Sequence, residues 1–173
     1  MRSPLPRETS AKIPGLLLRP ATAADAGTLL GLIRELAEFE KLAHEVVATE
    51  ADLQATLFGD QPTAEVCIAE LNGQIAGSAL FFHNYSTFLG RPGIYVEDVY
   101  VKPSHRGKGI GEAFFRYLAR VALARNCGRM DWSVLDWNEH AIRFYRRLGA
   151  VPMEGWTVQR LTGATLKSVA DSG

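Results

Sequence analysis

The sequence carries no net charge, because 19 lysines and arginines balance 19 aspartates and glutamates among its 173 residues. A chain without a bulk field of either sign is not drawn to nucleic acid or to an anionic membrane surface. We therefore expect neither partner, and any anion site has to be local. The length favours one domain with room for a proper core.

Cysteine and histidine are too scarce for a disulfide framework or a zinc site. Cys67 and Cys127 are the only cysteines, and the four histidines show neither an HExxH pattern nor a close Cys/His spacing. Two unpaired thiols are typical of the reducing cytoplasm. We therefore expect a cytoplasmic protein that holds no metal.

A membrane-spanning run is also missing. Residues 71–90 contain no charged side chain, but asparagine, glutamine, serine and glycine interrupt them too often for a stretch in lipid. The first 14 residues have charges and three prolines but no apolar signal-peptide core. We expect residues 1–14 to be a flexible tail and residues 15–173 to form a single domain.

The apolar patterning predicts strands first and a strand–helix–strand arrangement later. Thr22-x-x-Asp25 and Thr49-x-x-Asp52 are capping-box patterns that predict two helix starts, and Asn72-Gly73 predicts a tight hairpin. We expect strands over residues 15–21, 93–101, 129–136 and 156–161, and helices from Gly109 and over residues 139–149. This order indicates an α+β (mixed α/β) fold with a mostly antiparallel central sheet.

A glycine-rich segment, HRGKGIG, links the strand predicted over residues 93–101 to the helix predicted from Gly109. Glycines at alternate positions leave the N–H groups at a helix start open to an anion, because no side chain stands in front of them. Local positive charge surrounds the turn, from Lys102, His105, Arg106 and Lys108. The segment predicts a site for a phosphate-bearing ligand; a turn needed only for chain reversal is the structural alternative.

Two common nucleotide-binding patterns do not fit this segment. The P-loop pattern GxxxxGK(S/T) is absent, and GxGxxG fails because position 112 is Glu. The remaining pattern, Arg106-x-x-Gly109-x-Gly111 directly after a strand, resembles the acetyl-CoA pyrophosphate loop of the GNAT superfamily of N-acetyltransferases. LRPATAAD, LIRELAEFEKL, YVEDVYV, LDWNEHAIRFYRRLGA and EGW extend the resemblance, in the order seen in spermidine/spermine and thialysine N-acetyltransferases.

The resemblance runs from about Leu16 to about Leu161 and implies a GNAT-like fold. Helices would flank the sheet, a splayed strand pair would hold acetyl-CoA, and the protein would be a homodimer. The residues matching cofactor contacts are Val99, Tyr100, Val101, Arg106, Gly107, Lys108, Gly109, Ile110, Gly111, Glu112, Asn138, Glu139, His140 and Ala141.

The resemblance also assigns catalytic residues. Tyr145 matches the family's proton donor, and a phenol protonated at neutral pH can supply a proton to a departing thiolate. Glu97 matches a substrate-site glutamate that would bind the cationic amine and take its proton through water. A core aromatic on a short helix is the alternative for Tyr145, and a solvated surface charge is the alternative for Glu97.

A small-molecule amine is the expected acetyl acceptor. The positions that match the amine pocket are Phe39, Glu40, Glu97, Asp98, Asp131 and Glu154, although Asp98 and Asp131 could simply cap or solvate a strand. AEFEKL and LDWN are closer to the thialysine-type branch, so we expect a lysine-like or ornithine-like amino acid or a short diamine, with a polyamine next. Protein or peptide acetylation, and a non-catalytic coenzyme A sensor, are the alternatives.

Overall fold

The computed structural model describes residues 4–172. The first three residues of the predicted tail and the last residue of the predicted domain lie outside this range. The chain divides into two compact units, one ending at Ser133 and the other beginning at Val134.

The first unit is built on one mixed sheet. Within the described residues, its six strands are β1 (Glu8–Thr9), β2 (Leu16–Pro20), β3 (Glu65–Leu71), β4 (Gln74–Ser86), β5 (Arg91–Val101) and β6 (Met130–Trp132). The strands lie side by side in chain order, and all neighbours are antiparallel except β5 and β6, which run parallel. The predicted α+β class with a mostly antiparallel sheet is therefore confirmed.

Three helices pack on this sheet. They are α1 (Ala26–Glu40), α2 (Glu50–Phe58) and α3 (Ile110–Ala124). Both predicted capping boxes are present: the Thr49 N–H donates to Asp52 at 2.9 Å while the Asp52 N–H donates to the Thr49 hydroxyl at 3.2 Å, and Thr22 with Asp25 opens a short 3-10 turn into α1. These caps satisfy N–H groups that a helix leaves open, so the position of both helix starts depends on neighbouring residues in the sequence.

Each face of the sheet carries its own apolar cluster. Cys67, Ala69 and Leu71 of β3 face α3, whereas Val66 and Ile68 of the same strand face α1 and α2. This alternation follows from the two-residue repeat of a strand. The predicted hairpin joins β3 to β4, where Asn72 and Gly73 have the positive φ angles (53° and 78°) that a tight turn requires.

The segment predicted as a tail contains ordered structure. β1 pairs with β2 through Glu8 opposite Leu18, and the buried Tyr117 of α3 donates its hydroxyl hydrogen to the Pro6 carbonyl at 2.8 Å. The hydrogen bond to Pro6 joins residues 111 positions apart in sequence, so local patterning did not predict it.

The second unit contains α4 (Glu139–Arg147) and α5 (Gly163–Asp171). The helix predicted over residues 139–149 is confirmed, and the strand predicted over residues 129–136 is limited to the three residues of β6. The strand predicted over residues 156–161 is wrong, because these exposed residues join no ladder in the described chain. Strand propensity alone does not make a strand without a partner for its backbone groups. Helix α5 was not predicted.

No helix in residues 4–172 combines the length and the apolar character needed to cross a membrane.

Candidate active site

The glycine turn adopts a conformation that requires glycine. Gly107 and Gly109 have φ angles of 74° and 83°, which side-chain-bearing residues rarely adopt. No atom lies within 4 Å of the point where a Gly107 side chain would begin, so this face of the turn is open. Gly109 is the N-cap of α3, and the predicted helix start is confirmed.

The N-terminus of α3 has no side-chain cap. The Ala113 N–H donates to the Gly109 carbonyl at 3.0 Å, and the N–H groups of Ile110, Gly111 and Glu112 precede the first helical bond. By contrast, a side chain caps α2 and another caps α4. Open N–H groups at the positive end of a helix fit an anion, and the turn is therefore suited to the expected pyrophosphate.

Arg106 ties this turn to α1 and to the end of β5. Its Nε donates to the Val101 carbonyl at 2.9 Å, and its guanidinium carbon lies 4.7 Å from the Phe39 ring centre and 5.7 Å from the Tyr100 ring centre. A planar guanidinium can stack on rings and donate a hydrogen bond at the same time. The sequence predicted that Arg106 supports the loop but not that it contacts Phe39.

A second link between α1 and β5 was missed by the sequence. Lys102 pairs with Glu35 at 3.2 Å, and the pKa of Tyr100 is raised by burial and by its hydrogen bond to Glu35. The spacing of these residues gave no signal, since they meet only when α1 packs on the sheet.

Strand β5 runs on beyond its pairing with β6. The parallel ladder joins Ile94–Val96 to residues 130–132 and then stops, while β5 continues to Val101. The expected cofactor-contacting residues Val99, Tyr100 and Val101 lie in this continuation. A strand edge with free backbone groups can pair with an extended ligand arm, as the splayed pair was expected to do.

A β-bulge lies at Glu97. Leu80 of β4 is opposite Asp98 and Phe81 is opposite Val96, so Glu97 is an extra residue in β5. Val96 before the bulge and Val99 after it both pack into the cluster under α3. The extra residue therefore turns Asp98 and Tyr100 toward the face that carries α1 and leaves Glu97 exposed.

Two glutamates, Glu97 and Glu40, act on the carboxyl group of Asp98 at this point. Burial, together with the nearby charges of Glu97 and Glu40, raises the pKa of Asp98 from its ordinary value of 3.8 to about 6. Burial also raises the pKa of Glu40, the last residue of α1. The predicted substrate residues Phe39, Glu40, Glu97 and Asp98 thus meet between the end of α1 and the bulge. Such a cluster suits a cationic ligand, since each acid would be stabilised by a positive charge.

Asp131 is engaged in structural contacts. Its carboxylate accepts a hydrogen bond from the Asn84 side chain at 3.0 Å and pairs with Arg129 at 2.8 Å. This geometry favours the strand-supporting alternative for Asp131 over substrate binding.

The remaining expected residues belong to the second unit. Asn138 caps α4 by accepting the Ala141 N–H at 3.2 Å, Glu139 pairs with Arg143 at 2.9 Å, and His140 is exposed. The ring of Tyr145 lies 5.3 Å from that of Phe144. Glu154 is exposed in an irregular segment. Asn138 was expected to open this helix as well as to contact the cofactor, and its capping bond gives it that structural role.

Residues 31–150 match the family model described as the acetyltransferase (GNAT) family. The chain is 39% identical over 166 residues to the thialysine N-epsilon-acetyltransferase of Bos taurus, covering 90% of this chain and 97% of that protein. It is 31% identical over 197 residues to an L-ornithine N5-acetyltransferase of Arabidopsis thaliana, covering 88% and 86%. An integron cassette protein from the mobile metagenome of V. cholerae superposes with a TM-score of 0.77 at 25% identity, covering 91% and 98%.

Proposed function

The chain belongs to the GNAT family of acetyltransferases, and we propose that it acetylates the side-chain amine of a small basic amino acid or a short diamine. Membership makes it an acetyl-CoA-dependent N-acetyltransferase. The finer proposal, direct attack of the amine within a ternary complex, is supported by the lack of an activated thiol: burial raises the pKa of Cys67 to about 12 and also raises that of Cys127. A thiol held protonated is a poor nucleophile.

The observation that carries the substrate class is the carboxyl cluster of Glu40, Glu97 and Asp98 beside the glycine turn. Several acids around one pocket favour a substrate with more than one cationic nitrogen. The names of the relatives, which act on thialysine and on ornithine, support the same class. Lys41, exposed directly after α1, is available to the carboxylate of an amino-acid substrate.

The chain offers a place for acetyl-CoA, which supplies the acetyl group as a reactive thioester. The open N–H groups between Gly107 and Glu112 would hold its pyrophosphate, and Arg106 would keep the turn in place. The part of β5 at Val99–Val101, beyond its pairing with β6, would pair with the pantetheine arm. We assign the further contacts to Asn138, Glu139, His140 and Ala141 by resemblance.

The amine must lose a proton before it can attack. An alkylamine has a pKa near 10.4, so deprotonation at pH 7 costs about 4–5 kcal/mol. We assign Glu97 to binding the cation and to accepting its proton through water, with Asp98 and Glu40 holding the charge nearby. An N–H at or near Val99 would stabilise the negative charge that develops on the carbonyl oxygen.

The thiolate must gain a proton as it leaves. We assign this proton to the Tyr145 hydroxyl, because a phenol has a pKa near 10 and remains protonated at neutral pH. The carbon–nitrogen bond forms and the carbon–sulfur bond breaks; the cationic amine gives up two protons in all, one before attack and one after it, the departing sulfur gains one, and one is released to solvent.

Release of coenzyme A thiol tests the activity. Acetyl-CoA is offered with thialysine, lysine, ornithine, diamines, polyamines and short peptides. We expect release with the basic amino acids or diamines. Release with peptides alone would indicate protein acetylation instead, and cofactor binding without release would indicate a sensor.

Two variants test the assigned residues. Tyr145→Phe should lower turnover far more than coenzyme A affinity, whereas equal losses would indicate a packing role. Glu97→Gln should lower the rate and alter its pH profile, and an unchanged profile would remove the assignment. Tyr85→Phe, at an exposed tyrosine of β4, is a matched control for the first variant.

The homodimer and the cytoplasmic location stay predictions, as does the single domain over residues 15–173. Sedimentation equilibrium of the purified chain measures its oligomeric state directly.

A further inference from the structure

The N-terminal segment, residues 4–13, is fastened to the sheet and to α3. Besides the β1 pairing and the Tyr117 hydrogen bond, Glu8 forms an ion pair with Arg120 of α3. The Ser10 hydroxyl accepts the Ile13 N–H at 3.1 Å and so closes a turn that directs Ile13 toward the glycine turn. These contacts therefore hold the segment alongside α3.

A cleft of about 530 Å³ lies between this segment and the first turns of α3. Its charged lining residues are Lys12, Lys108, Arg116, Arg120, Glu8 and Glu112. Residues 9–11, Ile13, Leu18, Gly109 and Ala113 complete the lining. A cleft of this size accommodates part of a nucleotide-sized ligand.

The lining carries uncompensated positive charge. Glu112 pairs with Arg116, and Glu8 pairs with Arg120. Across residues 4–172, no ion pair involves Lys12 or Lys108, so the cleft keeps two cations in a chain whose formal net charge is zero. The cleft therefore favours an anionic ligand.

The cleft opens beside the proposed pyrophosphate turn. Lys108 and Gly109 belong to both, and the Ile13 side chain lies 3.4 Å from the position that a Gly109 side chain would take. The turn and the cleft are therefore neighbours, and a ligand held by the N–H groups of the turn lies close to the cleft.

We propose that this cleft receives the phosphate on the ribose 3′ oxygen of coenzyme A, with Lys12 as its ligand from the N-terminal segment. The inference rests on the proposed function, since it concerns the same cofactor. Beyond its pyrophosphate, coenzyme A carries this one further phosphate, and dephospho-coenzyme A lacks it. A lysine ammonium binds a phosphate as a compact point charge.

The test compares the two cofactors by calorimetric titration at low salt. The full-length wild type should bind coenzyme A more tightly than dephospho-coenzyme A. Lys12→Ala should weaken the binding of coenzyme A about 10-fold, near the lower end of what a hydrogen bond to a charged group contributes. It should leave the affinity for dephospho-coenzyme A within about twofold. Arg7→Ala is the matched control, since it removes the same charge from an exposed position of the same segment outside the cleft.

Three results would overturn the inference: equal wild-type affinity for the two cofactors, equal weakening of both by Lys12→Ala, or an Arg7→Ala effect as large as that of Lys12→Ala. The last result would mean that the two side chains act through a general electrostatic field and that Lys12 does not bind the phosphate at a specific site. A wild type that neither binds coenzyme A nor releases its thiol would instead refute the proposed function. An unchanged melting temperature establishes that both variants fold.

Discussion

The ionised side chain of Asp98 is expected to lower the stability of the folded protein. Its carboxyl is partly buried between Glu97 and Glu40, and its pKa rises from 3.8 to about 6. A folded state that binds the proton more tightly than the unfolded state loses stability as the group ionises. The penalty is fully present above about pH 6 and disappears below the unfolded pKa, near pH 3.8. Asp98→Asn keeps the shape of the side chain and removes the titration.

The magnitude follows from the shift. About two pKa units at 1.36 kcal/mol each give about 3 kcal/mol at pH 7.5. The same two pKa values leave about 1 kcal/mol at pH 4.5, because the folded carboxyl is then protonated and the unfolded one mostly is not. We therefore expect Asp98→Asn to be more stable than the wild type by up to these amounts, and to bind the amine more weakly.

Urea unfolding of both proteins at the two pH values measures the difference directly, and other titrating groups cancel between them. Most substitutions destabilise, so a stabilising one at a buried polar position would mark a residue kept for function. A variant less stable than the wild type, or a difference that does not change with pH, would refute the reasoning about burial and charge at Asp98.

Three further outcomes are expected. Asp25→Asn breaks the paired 2.8 Å contacts with Arg19 that help lower the Asp25 pKa to about 2. The substitution should cost about 1–2 kcal/mol of stability at pH 7, and this loss should shrink as pH falls from about 4 to 2. An equal loss of stability in urea at about pH 7 and about pH 2 would contradict this. Gly109→Ala forces alanine to φ near 83°, which should cost about 1–2 kcal/mol of stability and weaken coenzyme A binding. An unchanged melting temperature and an unchanged coenzyme A affinity would show that the turn relaxes freely. Arg106→Lys loses the stacked plane over Phe39, so the amine KM and the coenzyme A Kd should both rise; an unchanged amine KM would mean that the contact with Phe39 has no role.

Local signals in the sequence predicted much of the first unit. Thr49 and Asp52 cap a helix because their side chains reach only neighbouring backbone, and Asn72-Gly73 turns the chain because these residues tolerate positive φ. The glycine turn belongs to the same class. Each of these features depends on a few consecutive residues, so it can be predicted without knowing what packs around it.

Local signals predicted α4 of the second unit, but strand propensity over residues 156–161 did not produce a strand. A strand requires a partner, and no short stretch of sequence specifies one.

The properties of the individual side chains in the site were decided by tertiary structure. Glu97 and Asp98 are adjacent acids in the sequence, and only the bulge opposite Leu80 and Phe81 exposes the first and partly buries the second. Lys12 lies in a segment that reads as a tail until β1 pairs with β2. The sequence by itself determined where the anion-binding turn is and which family the chain resembles, because both depend on consecutive residues. Burial, charge proximity and the cleft beside α3 depend on distant segments meeting, and only the folded chain brings those together.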